Sequence, residues 1–403
     1  MTHRTHIESV ETILIGPPGT PPAKGVGREC VTPLSGLEIA DHEMRSGLPP
    51  VDVWGVLVLV RTSSGHLGIG SAGFGNRVAA TVIESNLAPL LIGRDPFDVE
   101  ALWRLMYLST LNFGRKGAVL AAISALDIAL WDVLGRILDE PVFRLIGGRT
   151  RPAIRVYASR LYATEDLSAL AQEARGYVDA GFTAVKQRLA YGPRDGKIGM
   201  QRNLELVQAV ASVLPSDVEH MVDAYMGWDS WYAARMIRMI ENAGIELAWV
   251  EEPLPPDNVS SLAELRTNVG TPIAAGEHEY TRYGVHDLLT HKAVDVLQTD
   301  MNRTGGITEA KKIVALASAF GVPVIPHAGQ LHNYHVVMSS PGCPMAEHFI
   351  RPPHGVVPDE DELFYRLFDG EPDAVDGFVY LADGIPGMGY QLNEQAIKTW
   401  RVS

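Results

Sequence analysis

Residues 247–277 read LAWVEEPLPPDNVSSLAELRTNVGTPIAAGE. A short apolar run over 247–251 closes on Glu251. Pro- and Asn-containing turn material follows, then a helical pattern over 260–269, then a second apolar run over 273–277 that closes on Glu277. Strand, helix and next strand in this length is the repeat of a β/α unit. The runs lack the polar alternation of a half-solvated strand, which suits strands buried on both faces of a parallel sheet.

The same texture extends in both directions. Further apolar runs lie at 154–158, 184–189, 220–223, 294–300, 322–327 and 345–349, with helical stretches at 167–180, 203–214, 231–243 and 309–320. Eight runs at a spacing of roughly 25–30 residues predict a (β/α) barrel, although an open doubly wound sheet fits the same alternation. Upstream of Pro152 the pattern changes. Residues 53–61 read as a strand that turns at 62–65 and returns over 68–72, residues 16–27 as a Pro- and Gly-loaded loop, and 77–91, 99–108 and 118–135 as helices. The expected units are an α+β segment over 1–150, the barrel over 151–368, and a segment over 369–403 outside the eight repeats.

Composition sets outer limits. With 403 residues the chain exceeds one small core. A net charge of −14 lacks the basic footprint of a nucleic-acid binder, yet leaves an anionic substrate open, because a bound metal ion can reverse the local sign. Cys30 and Cys343 form no C-x-x-C pair and read as inert thiols. The N-terminus has no signal-like apolar region, and no apolar run stands out as a membrane span. A cytoplasmic protein is expected.

Ionisable residues stand at the ends of the buried runs. Lys186 and Arg188 lie on the second, Asp223 ends the third, Glu251 the fourth, Glu277 the fifth, Asp300 the sixth and His327 the seventh, while Glu347 lies within the eighth. In a β/α barrel the C-terminal strand ends converge on one mouth, where the active site forms. A charge at a buried strand end is costly unless paired or metal-bound. Its recurrence at strand after strand therefore points to function rather than to unrelated ion pairs on the rim. Asp223, Glu251 and Glu277 are hard oxygen ligands suited to Mg²⁺. Strand alternation predicts that Glu252 points away from them. Asp300 behind His327 would fix the imidazole tautomer and raise its basicity, as a general base requires.

These residues resemble a known family. Residues 249–254 (WVEEPL), 275–278 (AGEH), 305–309 (GGITE), 122–132 (AISALDIALWD) and 145–148 (LIGG) are similar to the enolase superfamily and, within it, the mandelate racemase group. The resemblance implies an enolase-type modified barrel with an α+β cap made from the N-terminal part and the C-terminal tail. It implies Asp223, Glu251 and Glu277 as Mg²⁺ ligands, Asp300–His327 as the catalytic dyad, and Glu347 as a hydrogen-bonding acid beside the substrate carboxylate. It also implies a homo-oligomer. Residues 191–196 (YGPRDG), 276–284 (GEHEYTRYG), and Pro326–His327 with Tyr334–His335 resemble the rhamnonate dehydratases more narrowly. The chain departs from them at Arg188, where an apolar residue or Pro is usual, and at Thr299, where Pro usually precedes the Asp.

The expected activity is Mg²⁺-dependent dehydration of an acid sugar. His327 removes the C2 proton, Lys186 and a protonated Glu347 assist, and the 3-hydroxyl leaves to give a 2-keto-3-deoxy acid. Arg188, His278, His42 and Arg45 are candidate substrate contacts, with Tyr280, Arg282, Gln330, His332 and Tyr334 as further polar groups for a polyol. The strand ends offer little apolar surface for an aryl substrate. A racemase needs a second base, and Arg is effectively never deprotonated. A non-catalytic sugar-acid binder would have lost a metal ligand. Two weaker signals read as structural. Gly68, Gly70 and Gly73 spell G-x-G-x-x-G but follow a turn and lack the later acid of a dinucleotide site, and His332 and His335 lack the Glu of a zincin.

Overall fold

The computed structural model describes residues 5–16, 30–37, 52–73, 77–351 and 363–402. The N-terminal part forms an antiparallel sheet, β1 (Ile7–Ile15), β2 (Gly55–Thr62) and β3 (Leu67–Gly73), in that spatial order. The β2–β3 hairpin matches the sequence expectation; β1 was not anticipated. The helix Ala118–Leu138 lies across this sheet. A Cβ on Gly68 would stand 2.1 Å from the Ala129 carbonyl oxygen, and one on Gly70 2.0 Å from that of Ala125. The two glycines are there so that strand and helix backbones can approach, which settles the G-x-G-x-x-G as packing. This helix is long and apolar enough to cross a membrane by length and composition, contrary to the expectation that no such run exists. However, 94% of its most apolar window is buried inside the protein, as befits a core helix. It stops at Asp139, which adopts a left-handed conformation (φ +55°), before the short helix Val142–Ile146.

The parallel sheet contains β4 (Ile154–Ser159), β5 (Ala184–Arg188), β6 (Glu219–Asp223), β7 (Trp249–Glu251), β8 (Ile273–Ala275), β9 (Val296–Leu297) and β10 (Ala346–Phe349), in the order β10-β4-β5-β6-β7-β8-β9. The expected seventh strand is reduced to a single bridge, Leu297 to Val324, extended by hydrogen bonds from Ile325 N to Leu297 O and from His327 N to Thr299 O. Tyr157, Ala184, Met221, Trp249, Ala274, Val296, Ile325 and Met345 pack into one buried cluster. Each comes from a different run. Only a sheet curled on itself brings all eight together, and this excludes the open doubly wound alternative.

Helices fill the connections. Leu167–Asp179, Ser230–Asn242, Val259–Asn268 and Gly306–Ala319 begin within a few residues of expectation. The helix Gly196–Ala211 starts earlier than expected, because Gly196 and Gly199 argue against a helix in sequence. A Cβ on Gly199 would meet that of Asp195 at 2.3 Å, so the glycine serves the tight entry. Helices Thr281–Thr290 and Leu331–Ser339 were not foreseen. In the C-terminal segment, Phe378–Val379 pairs antiparallel with β4. Met388 N donates to Asp132 at 2.7 Å, and the Tyr390 hydroxyl donates to Ile69 O at 3.0 Å.

Candidate active site

Strand register sets the site. Arg188 pairs with Asp223, Asp223 with Glu251, and Glu251 with Ala274, so charged side chains stand on adjacent strand ends. Where the chain leaves the strands it enters the left-handed region at Leu161, Tyr225, Met226, Glu252 and Ala328. Side chains resist this conformation, and its concentration on one rim is a mark of a functional mouth.

Two cations thread the carboxylates. Lys186 Nζ lies 2.7 Å from Glu251, 2.8 Å from Glu347 and 3.9 Å from Asp223. Burial alone would lower its pKa, but Glu251 and Glu347 outweigh burial and hold it well above the usual value. Arg188 Nη1 bonds Asp223 at 2.9 Å and its guanidinium lies over the Tyr162 ring. The second Glu251 oxygen accepts from Gln298 at 2.8 Å. Glu347 accepts from Ala328 N at 2.8 Å. Burial pushes its pKa up, yet Lys186 and His327 bring it below the usual range, so in this state it is ionised. The protonated Glu347 expected from sequence is therefore not what the surrounding charges favour.

His327 Nδ1 donates to Asp300 at 3.0 Å, and Nε2 lies 3.4 Å from Glu277. Burial opposes the charged imidazole, but Glu277 and Asp300 raise its pKa to about 10. Arg303, absent from the sequence reading, reaches Asp300 at 3.2 Å and Glu277 at 3.1 Å. It links the dyad to the carboxylate row. Its only advance signal is its place three residues after Asp300, on a turn that strand periodicity does not describe.

Glu252 departs from expectation. Alternation ends with β7 at Glu251, and the left-handed turn at Glu252 (φ +39°) directs its carboxylate to His278 Nδ1 at 2.9 Å. The ligand atoms of Glu252, Glu277 and His278 lie within 4.8 Å of one another. Asp223 and Glu251 are instead held by Arg188 and Lys186. Several expected polyol contacts are engaged elsewhere. Arg282 pairs with Glu309 at 2.7 Å, the Tyr334 hydroxyl meets His348 at 2.8 Å, and His332 Nε2 accepts from Asn302 at 3.0 Å. His335 accepts from Phe143 N and donates to Met388 O, consistent with its structural reading. His42 and Arg45 lie outside the described residues.

The carboxylate row can hold a divalent cation. Burial raises the Glu251 pKa to about 7; Lys186 opposes this, and Asp223, Glu347 and Glu277 add to it. This is an excess of buried negative charge, presented entirely by oxygen atoms, which is the donor set that Mg²⁺ prefers.

Comparison with known proteins identifies the family. Residues 53–147 match the family described as mandelate racemase / muconate lactonizing enzyme, N-terminal domain, and residues 169–396 the one described as enolase C-terminal domain-like. The chain belongs to the mandelate racemase group of the enolase superfamily. Among relatives of this superfamily, an L-rhamnonate dehydratase from Saccharopolyspora erythraea is 37% identical over 350 residues, covering 86% of this chain and 85% of that protein. The crystal structure of rhamnonate dehydratase from Gibberella zeae complexed with Mg superposes with a TM-score of 0.85 at 30% identity, covering 99% of this chain and 97% of the other. The 3,6-anhydro-D-galactonate cycloisomerase from Zobellia galactanivorans superposes at 0.80 with 25% identity, covering 99% of this chain and 100% of the other. The mandelate racemase group thus accounts for the curled sheet and its antiparallel cap alike.

Proposed function

We propose that this protein is a Mg²⁺-dependent dehydratase of acid sugars that acts on an aldonate such as rhamnonate. The observation that carries the reading is the buried His327–Asp300 dyad at 3.0 Å, facing a row of carboxylates on adjacent strand ends. The likeness to rhamnonate dehydratases over most of the chain supports it. Residues 1–150 and 369–403 as cap and 151–368 as catalytic barrel belong to the same proposal.

Asp223, Glu251 and Glu277 would hold Mg²⁺, whose charge steadies the negative charge that builds on the substrate carboxylate as C2 loses its proton. Glu277 is the carboxylate that does most to hold His327 charged against the pull of burial; with a cation engaging Glu277, His327 would be released to take that proton at Nε2 while Asp300 keeps Nδ1–H in place. Lys186 lies among the carboxylates and supplies positive charge beside the substrate carboxylate. The C3–O bond then breaks, His327 returns its proton to the departing hydroxide, and the enol tautomerises to a 2-keto-3-deoxy acid. A racemase would need a second base. Glu251 and Glu347 hold Lys186 in its charged form, the reverse of what a base requires, and Arg188 is bonded to Asp223. One working face is what a dehydratase needs.

The test is a panel of aldonic and aldaric acids assayed for 2-keto-3-deoxy product with Mg²⁺ and with EDTA. Turnover of at least one aldonate that EDTA abolishes and Mg²⁺ restores is expected. Turnover of mandelate-like or amide substrates alone, or full activity in EDTA, refutes the reading.

A further inference from the structure

His327 stands where the curled sheet is least regular. Its run joins β9 through one bridge, and the last ladder bond runs from His327 N to Thr299 O at 3.1 Å. A continuing parallel ladder would take the His327 carbonyl as well. Here the Asn333 side chain takes it: Nδ2 donates to His327 O at 2.8 Å and to Ala328 O at 2.6 Å. Ala328 N in turn donates to Glu347 at 2.8 Å. The peptide that follows His327 is therefore gripped at both ends, at its carbonyl by Asn333 and at its N–H by Glu347. Ala328 is left-handed (φ +72°). Side chains resist that conformation, so surrounding contacts have to hold the turn. Gly329 leaves no slack, since a Cβ there would stand 2.8 Å from Glu347 O and from the Tyr334 hydroxyl.

The gripped turn borders open space. A cavity of about 60 Å³ has Asp300, Ala328 and Gln330 on its boundary. Its far wall is mostly apolar, with Trp54, Leu57 and Phe364, contrary to the expectation of little apolar surface at the mouth. The first strands meet residues 363–368 there, a proximity that no local pattern announces.

The other half of the Asn333 amide shows what the residue is for. The side chain is fully buried, and Oδ1 has no hydrogen-bond partner among the described residues. That is a costly state for an amide oxygen. Turning the amide over would set Oδ1 against two carbonyl oxygens, so the turn itself fixes which way the group faces. Leucine has the same branching at Cγ and would leave no orphaned oxygen. What asparagine offers in exchange is its pair of donated hydrogen bonds. Its helix, Leu331–Ser339, is well anchored. Leu331 N reaches the Glu371 carboxylate at 3.2 Å, the Tyr334 hydroxyl meets His348 at 2.8 Å, and His335 accepts from Phe143 N at 3.0 Å. A side chain on a rigid element positions its partner more closely than one on a loop.

We propose that Asn333 is a positioning residue for the proton transfer. It fixes the His327–Ala328 peptide and with it the direction of the imidazole, so that Nδ1 stays on Asp300 while Nε2 faces the substrate C2. The proposal rests on the dehydratase reading and extends it to a residue that acts through His327. Displacing a reacting group by about 1 Å can cost on the order of 100-fold in rate.

The experiment measures kcat, KM and exchange of the C2 proton with deuterium oxide in the Mg²⁺-loaded wild type, Asn333→Leu and Asn333→Ser. The substrate is the aldonate that the wild type dehydrates best, with its C2-deuterated form for the isotope effect. Both variants should lose kcat and C2 exchange together, by roughly 10- to 100-fold, with KM little changed. The isotope effect on kcat should be at least as large as in the wild type, because proton transfer is the step that slows. Asn333→Ser is the milder change and serves if Asn333→Leu does not fold. A role confined to stability would lower Tm and leave kcat of the folded enzyme as it was. That result overturns the proposal, as does a rise in KM at unchanged kcat, or a lower kcat with a smaller isotope effect. Each of these leaves the dehydratase reading standing, because the wild type still turns over. If the wild type dehydrates no acid sugar, the reading of the reaction falls first and this proposal with it.

Discussion

Replacing Lys186 with Met tests the charge arrangement of the mouth without any substrate. The ammonium touches Glu251 and Glu347 at 2.7 and 2.8 Å and lies 3.9 Å from Asp223, with all four side chains at most 3% exposed. Methionine keeps the length of the side chain and removes its charge. Losing one partner of a buried pair costs about 3–5 kcal/mol, because the other charge stays buried and uncompensated. Here more than one carboxylate loses its partner. The loss is limited because Glu251, with its pKa already near 7, takes up a proton instead. In EDTA at pH 8 the variant should therefore melt several degrees lower, at about 1–2 °C per kcal/mol for a chain of this size. Mg²⁺ should then raise Tm more in the variant than in the wild type. The cation replaces the missing charge, and each tenfold gain in affinity adds about 1.4 kcal/mol of stabilisation at saturating metal. At pH 5 the gap between the two proteins should narrow, because the carboxylates protonate. The assay is differential scanning calorimetry with and without Mg²⁺ at both pH values. Equal melting temperatures in EDTA, or equal Mg²⁺ shifts, would mean that Lys186 does not compensate this row and that the cation does not bind there.

Three other outcomes follow from particular contacts. Asp300→Asn should lower kcat by about 10²–10⁴-fold, as loss of the orienting carboxylate does elsewhere, together with exchange of the C2 proton into solvent deuterium; near wild-type exchange would assign the base to another group. Burial pushes the Glu371 pKa up to about 8, with the bond from Leu331 N opposing. A raised carboxyl pKa gives stability that is full below the unfolded value near 4.5 and is lost as pH rises through 8. Glu371→Gln should match the wild type at pH 4 and be more stable by about 2–4 kcal/mol at pH 9, measured by urea titration; equal stability at pH 9 would contradict this. Gly70→Ala should destabilise by about 1–3 kcal/mol or more through overpacking, since its Cβ would stand 2.0 Å from Ala125 O, and a variant of unchanged stability would show that the helix can retreat.

Much of the architecture was legible because burial imposes texture. Strands hidden on both faces have to be apolar throughout, and that rule located the barrel runs, including the 322–327 run that pairs only through a single bridge. The strand-end residues were legible for the complementary reason, as charges where charge is costly. What escaped depends on backbone turns and on distant contacts. Glu252 follows the alternation rule up to β7, and then one left-handed residue turns it toward His278. Arg303 lies on a turn with no period. Arg282, Tyr334 and His332 looked available as polar residues near the mouth, but Glu309, His348 and Asn302 hold them. Composition gives no sign of such prior engagement.

The helix Ala118–Leu138 belongs by sequence to the cap, yet its side chains also serve the barrel. Ser124 accepts from Gly305 N at 2.8 Å, Asp127 from Thr308 N at 2.9 Å, and Trp131 Nε1 donates to the Thr308 hydroxyl at 2.8 Å. A Cβ on Gly306 would collide with Asp127 at 2.6 Å. The seam is thus keyed by fitted shapes on both sides rather than joined by a smooth surface. Grafting a cap from a relative onto this barrel, as one would to exchange specificities, would have to carry Ser124, Asp127 and Trp131 together with the Gly305–Gly306 turn and Thr308. Without that match the donor helix would face a lock cut for another key. The two halves of this protein fit as a pair, and changes of substrate preference are expected to come more readily from side chains lining the mouth than from trading whole modules.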